Sequence, residues 1–510
     1  MVAGTPCKTA TPCRPGRGGV SMNIPACSCR VGILALITLS AGCAVGPDYH
    51  RSNVPLPDSF TRATTPKTIG DASTHDAQRL MQGEAVQRDW WRAFDSPALN
   101  DLVQRALAHN PTIDAAQAAL RQAQENVAAQ RASYFPAIQA SYSPSRNRNA
   151  VGTISPTLSS GQTYYSLHTA QLTVGYVADV FGANRREVES LSAQADMQRY
   201  ELDATYVTLA ANVVNAAVQA ASLREQIQAT QAMIDADAHA LSILQQQAAM
   251  GGATGLDVAA QATALAQARQ NLPVLEKQLE QTRDLLAVLL GEPPSQAGDT
   301  DLELATLRLP ASLPLSLPAQ IIRQRPDVLA AEAQVHAASA EVGVAVANRL
   351  PQFSISAQYG GSATQFSRMF TDDNVFWSLT GTVSQTLFDF GALKHHQRAA
   401  EAALDQAKAQ YRNVALTAFQ NVADTLYALD EDSKALTAAT QAEAATRKTR
   451  DLTQQQLQFG ATNGLALLAA EQAYQQAVVT RIQAVAARYA DTVALYQTLG
   501  GGWKDPSGTP

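Results

Sequence analysis

The sequence predicts a mixed fold: a transmembrane β-barrel to which each chain gives four strands, continuous with a long α-helical barrel and built from two tandem repeats. Three observations carry this prediction. The first half of the chain aligns onto the second. Each half holds two runs in which apolar and polar residues alternate strictly, as they do in a sheet with one wet face. Each half then enters a proline-free helical run far longer than an ordinary globular helix.

The repeat is read directly. "NPTIDAAQAALRQAQENVAAQRASYFPAIQASY", from Asn110, aligns without gaps on "RPDVLAAEAQVHAASAEVGVAVANRLPQFSISA", from Arg325. Pro111, Val127 and Pro136 meet Pro326, Val342 and Pro351 at an offset of 215. Phe181-Gly182-Ala183 and Leu290-Gly291 meet Phe390-Gly391-Ala392 and Leu499-Gly500 at an offset of 209. The length difference therefore falls between Pro136 and Phe181. This divides the chain into a signal peptide (1–42), an extended segment (43–96), repeat 1 (97–291), a linker (292–318), repeat 2 (319–500) and a tail (501–510).

Taken in order, Arg30 and the apolar run Val31 to Leu39 have the form of a secretion signal, with Met22 as the expected start of translation. Small residues Ser40-Ala41-Gly42 lead to Cys43, an arrangement that resembles a bacterial lipobox. Cleavage before Cys43 removes Cys7, Cys13, Cys27 and Cys29, so no disulfide framework is expected. The alternative is an ordinary signal cut near Ala41 that leaves an idle cysteine. In repeat 1, residues 97–131 are helical, with Leu99, Leu102, Ala106 and Leu107 on one stripe; Asn110-Pro111 marks a second helix or a kink. A strand pair occupies about 133–180. Ile138, Ala140 and Tyr142 oppose Gln139, Ser141 and Ser143, and Leu172, Val174 and Tyr176 oppose Gln171, Thr173 and Gly175.

The long helix 184–250 follows, spanning roughly 100 Å at 1.5 Å per residue. Gly251 to Gly255 breaks it, and a helix returns over 256–290. Repeat 2 gives a helix, a strand pair at about 349–390, a long helix at 393–459, a break at Gly460 to Gly464, and a helix at 465–499. Its strands set Phe353, Ile355, Ala357 and Tyr359 against Gln352, Ser354, Ser356 and Gln358. Likewise Trp377, Leu379 and Val383 oppose Ser378, Thr380, Thr382 and Ser384. The helices 97–131 and 256–290 together match the long one, so stacked end to end they can run beside it.

Several functions are excluded. The net charge is -6 and no long basic stretch exists, which argues against a nucleic-acid partner. No apolar stretch beyond residue 43 is expected to reach the ~18 residues of a spanning helix. His395-His396 diverge on a helix and do not have metal-ligand spacing, and Asp430-Glu431-Asp432 fits a solvated face. No P-loop, nucleophile elbow or zinc motif is present, so no catalytic residue, metal or cofactor is expected and the protein is read as no enzyme. Strands in lipid cannot leave open edges, and about eight are the practical minimum, so the chain must oligomerise. A polar inner face then makes a pore, which the helices prolong into the periplasm: a conduit. The competing reading is a lipid-anchored periplasmic adaptor or coiled-coil structural protein, which would lack the strand pairs.

"CAVGPDY" at 43–49, "WWRAFDSPALNDLVQRALAHNP" from Trp90, "GLDVAAQATALAQARQNLP" from Gly255, "RQRPDVLAAEAQV" from Arg323 and "LYQTLGGGW" ending at Trp503 resemble the NodT-type outer membrane efflux lipoproteins. These are a branch of the TolC-like outer membrane factors, and the resemblance covers essentially everything from residue 43. It implies a homotrimer with a 12-stranded β-barrel on a 12-helix barrel. The implied setting is the outer membrane, with a periplasmic adaptor and an inner-membrane transporter of the RND type as partners. Cys43 would carry diacylglycerol and an N-acyl chain. The tips Gly252, Thr254, Gly255 and Leu256, and Gly460, Thr462, Gly464 and Leu465, would meet the adaptor, although Ala466 replaces Asp257 in the second tip. Asp451 and Leu452 would narrow the periplasmic gate. Cargo would be chosen by the pump.

Overall fold

The computed structural model describes residues 44–51, 59–62, 66–70, 77–148, 164–296, 298 and 302–503; the signal segment, Cys43 and residues 504–510 lie outside them. In chain order the regular elements are β1 (Thr68–Ile69), β2 (Gln78–Gln82), α1 (Pro97–His109), α2 (Pro111–Arg131), β3 (Ala137–Arg148) and β4 (Tyr164–Ala178). Then follow α3 (Ala183–Ala249), α4 (Gly255–Leu289), β5 (Ser312–Leu315), α5 (Pro318–Gln324), α6 (Pro326–Ala347), β6 (Gln352–Ala363), β7 (Val375–Ser384), α7 (Ala392–Gln458) and α8 (Gly464–Thr498). The helices α3 and α7 have 67 residues each, and α4 and α8 have 35 each.

Asn110-Pro111 proves to be a helix start. Asn110 accepts from the Thr112 amide at 2.8 Å and Pro111 takes the first helical position, where its missing N–H costs nothing. The Asn110 amide also donates to the Leu289 carbonyl at 2.8 Å, pinning the end of α4 to the start of α2. Gly291, at φ +77°, passes so close to the His109 carbonyl that a Cβ would sit 2.4 Å from its oxygen. The two short helices thus abut and run along α3. In repeat 2, Arg325 does the same work with different chemistry. Its guanidinium holds Asp327 at 3.0 and 2.7 Å and donates to the Thr498 carbonyl at 3.0 Å.

Within the protomer, α3 lies between α2/α4 on one side and α6/α8 on the other, and α7 packs on α6 and α8. Alanines let these backbones approach: Ala210, Ala211, Ala217, Ala220 and Ala221 of α3 are all buried. One window of α3 does reach the apolarity of a membrane-spanning helix, contrary to the expectation from sequence. Most of it is buried against the neighbouring helices, so it serves as core.

Four strands form one antiparallel sheet in the order β3-β4-β6-β7. Its register joins the separate alternating patterns into two continuous faces. Ile138 faces Val174 and Val174 faces Ala357; Ala357 in turn faces Leu379. On the other side Gln139, Thr173, Gln358 and Ser378 form the matching polar row. Among the described residues the sheet has two unpaired edges, β3 and β7.

A second, three-stranded sheet was not foreseen. It joins the extended segment to the linker: β2 pairs antiparallel with β1 and parallel with β5. Beside it a 3-10 turn, Trp90–Phe94, drives Trp90 and Phe94 into the main core, where Trp90 stacks on Tyr496 at 5.0 Å. Each such buried side chain is worth roughly 1.5–3 kcal/mol. This core lies part-way along the two long helices.

Candidate channel wall and docking tips

The apolar sheet face is uncovered in the protomer: Ile138 is 73% exposed, Leu379 68% and Trp377 76%. Aromatic groups mark both ends of it. Away from the helices, the Tyr142 hydroxyl and His168 Nδ1 lie 2.9 Å apart, and Phe366 meets both rings edge-on. Toward the helices, Phe181 packs against Phe353 at 6.3 Å, and Phe388 against Phe390 at 4.6 Å. Between Phe353 and Tyr359 a strand rises roughly 20 Å, close to the ~25 Å apolar band of a membrane barrel. The opposite face carries hydroxyls and amides: Ser141, Thr169, Gln171, Thr173, Ser356, Gln358, Thr380 and Thr382. The sheet thus has one largely apolar and one polar, uncharged face among the described residues.

At the far end of the long helices, both turns share one backbone design. Gly251 (φ +77°) and Gly460 (φ +69°) take the left-handed conformation just past α3 and α7. The next amides, of Gly252 and Ala461, donate back to Gln247 and Gln456 at 2.8 and 2.9 Å. The returning helices are then capped. Thr254 accepts from the Asp257 amide at 3.2 Å, while Asp257 accepts from the Thr254 amide at 2.9 Å and its hydroxyl at 2.7 Å. Those two donors hold the Asp257 carboxyl below its usual pKa. In the second tip Asn463 stands where Thr254 does and accepts from the Ala466 amide at 3.0 Å. With Ala466 in place of the acid, the second tip keeps this half of the cap but lacks the reciprocal bond that Asp257 makes in the first.

The sequence reading places Gly251 and Asn463 within the helix breaks without giving either a role, and it does not single out the exposed pair Met250 and Phe459. Of the named residues, Leu256 is exposed, Leu465 is half-buried, and Gly464 sits against α3, where a Cβ would lie 3.4 Å from Leu244. The two tips are thus side by side.

Asp451 and Leu452, on the last turns of α7, are both about half exposed. Asp451 accepts from Arg450 at 2.9 and 2.5 Å; Arg450 lies over the Tyr474 ring at 4.3 Å and 3.9 Å from Glu471. Nearby, Glu443 accepts from Arg447 at 2.7 Å and Arg481 at 2.5 Å. A charge network therefore ties α7 to α8 just behind the second tip. Among the described residues, no group of three or more His, Cys, Asp or Glu is placed to hold a metal ion.

The chain after Cys43 is clasped at the junction of β4 and α3. The Val45 amide donates to the Phe181 carbonyl at 3.1 Å. Buried Arg186 donates to the Val45 carbonyl at 3.2 Å, to Asp48 at 2.7 Å and to Glu189 at 2.8 Å. The Tyr49 hydroxyl donates to Glu332 at 3.0 Å and its ring stacks on His336. Residue 44 is thereby fixed at the level where the apolar sheet face ends.

Comparison with known proteins shows the family and the fold. A sequence model for outer membrane efflux proteins matches residues 102–292 and 317–501. The pyoverdine export outer membrane protein OpmQ of Pseudomonas putida is 30% identical over 467 residues, covering 90% of this chain and 99% of OpmQ. The outer membrane protein OprJ of Pseudomonas aeruginosa is 28% identical over 488 residues, 93% of this chain and 95% of its own. Among solved structures, the outer-membrane channel OprN superposes with a TM-score of 0.80 at 27% identity, over 90% of this chain and 100% of that one.

Proposed function

The chain belongs to the outer membrane efflux protein family, and from that premise we propose that three copies close their four-stranded sheets into a passive duct. The duct carries substrates received from an inner-membrane transporter, of the RND class, and a periplasmic adaptor. The observation that carries the reading is the single apolar face shared by β3, β4, β6 and β7, bare in the protomer and open at both edges. Lipid satisfies the face but not the edges, so the edges must find each other. An adaptor or plain coiled coil is not favoured, because the family match spans both strand pairs and both helical hairpins.

The internal seam between β4 and β6 supplies a template for the seam between copies. Val174 faces Ala357 inside the protomer. Shifted by the repeat offsets, that pair becomes Val383 against Tyr142 of the next copy, with Leu379 against Arg146 and Trp377 against Arg148. The contact of Phe181 on Phe353 becomes Phe390 on Ile138 of the next copy. Phe390 is 90% exposed in the protomer, and this seam would cover it.

In this assembly the tips formed by Gly252, Thr254, Gly255, Leu256, Gly460, Thr462, Gly464 and Leu465 dock the adaptor, and Asp451 and Leu452 face the narrow end of the duct. Acylated Cys43, two residues before the Val45 amide that donates to the Phe181 carbonyl, would carry its lipid at the membrane surface and assist sorting. Energy comes from the partner transporter. The seam is tested with a Val383→Cys/Tyr142→Cys double variant. Oxidation should give covalent dimers and trimers in denaturing gels, whereas Val383→Cys paired with Ile138→Cys, displaced along the strand, should not. Equal cross-linking of both pairs, or of neither, contradicts the seam.

A further inference from the structure

Two arginines stand on the lipid-facing side of the sheet. Alternate residues of β3 share a face, so Arg146 and Arg148 continue the row Ile138, Ala140, Tyr142 beyond the aromatic cluster of Tyr142, His168 and Phe366. Their strand partners are Ser166 and Tyr164. Both side chains are exposed. The Arg148 guanidinium lies over the Tyr164 ring at 5.3 Å, and Arg146 makes no ion pair among the described residues. The sequence offers them no local counter-ion, since no Asp or Glu occurs between Glu125 and Asp179. Arg368, exposed in the turn that carries Phe366, adds a third cation at this end. Asp372 and Asp373 precede β7, on the opposite edge of the sheet. In the seam proposed above they lie further out than Trp377 and Leu379, the neighbours of Arg148 and Arg146.

A cation facing hydrocarbon is costly at mid-bilayer and tolerated near the interface, where it reaches the headgroups. With the helices in the periplasm, this end of the sheet lies at the outer leaflet. We infer that Arg146 and Arg148 form a binding rim for the phosphate groups of a phosphorylated lipid in the outer leaflet. The inference rests on the membrane-spanning reading and adds a ligand to it. Guanidinium suits the role, because its planar donor fork matches phosphate oxygens in pairs. The neighbouring aromatic rings provide the amphipathic shelf on which acyl chains and sugar meet.

The test uses the purified assembly in nanodiscs, titrated with lipid A carrying its phosphates and with the same lipid after their removal. Wild type should bind the phosphorylated form at least tenfold more tightly. The R146Q/R148Q variant should lose that preference, read on assemblies whose heat-modifiable migration shows that the seam, joined through backbone pairing, has formed. Millimolar inorganic phosphate should not compete, since the acyl chains share in binding. Equal binding of both lipids by wild type, an undiminished preference in the double variant, or displacement by inorganic phosphate alone overturns the inference. An assembly that conducts yet shows no preference contradicts this rim only; a chain that fails to insert removes the membrane reading and the rim together.

Discussion

At the scale of single residues, the informative groups are those whose partners differ from what their letters suggest. The two tips look alike as Gly252-Ala253-Thr254 and Gly460-Ala461-Thr462. That likeness is one residue out of step with the helices they join. The ends of α3 and α7 and the starts of α4 and α8 keep an offset of 209, which equates Thr254 with Asn463 and Gly251 with Gly460. Cap chemistry follows the helix end, so the sequence held the answer only once the repeat register was applied. A second residue lay outside sequence reasoning altogether. Asp491, half-buried beside the carboxyl of Asp432 between α7 and α8, has its pKa pushed up to about 7 by desolvation and by that neighbour, although Arg488 nearby draws it down. Because the folded-state value is raised, ionisation of Asp491 opposes folding. The stability it leaves intact in acid is lost as pH rises from the usual 3.8 toward 7. Asp491→Asn should therefore raise the apparent melting temperature at pH 8 and leave it nearly unchanged at pH 4. Parallel curves for variant and wild type across that range would contradict the assignment.

At the scale of elements, periodicity made the strands and long helices legible, while pairing between distant segments was not. The long helix expected from Asn184 to about Met250 compares with Ala183–Ala249, because an uninterrupted Ala- and Gln-rich run has a helical answer with glycine to end it. By contrast, β2 and β5 are short, and one contains Pro314, yet they pair across the whole of repeat 1. No local pattern reports such a contact. The junction between stacked helices is equally opaque, since Asn110 and Arg325 share a function without sharing a side chain. Asn110→Ala removes both a helix cap and the pin to Leu289. The expected loss is about 1–2 kcal/mol from the cap, with a further contribution from the orphaned carbonyl. Thermal or denaturant unfolding followed by far-ultraviolet dichroism measures it; a loss below about 0.5 kcal/mol would show that the pin contributes little.

At the scale of the whole molecule, two faces decide the function. One face of the sheet carries apolar rows from all four strands, with Arg146 and Arg148 at its far end, and the opposite face is lined with Ser, Thr and Gln. The long helices extend from one end of it, and the clasp of residues 44–51 holds the N-terminal segment at that junction. Under the function proposed above, a protein with this anatomy is a wall segment of a conduit, complete only when the edges of neighbouring copies are joined. The most direct measurement is the current carried by the purified protein in a planar lipid bilayer. Discrete, reproducible conductance steps from an SDS-resistant, heat-modifiable oligomer are predicted, and Val383→Pro, placed in the unpaired edge, should abolish both. A folded chain that remains monomeric and carries no current would contradict the account.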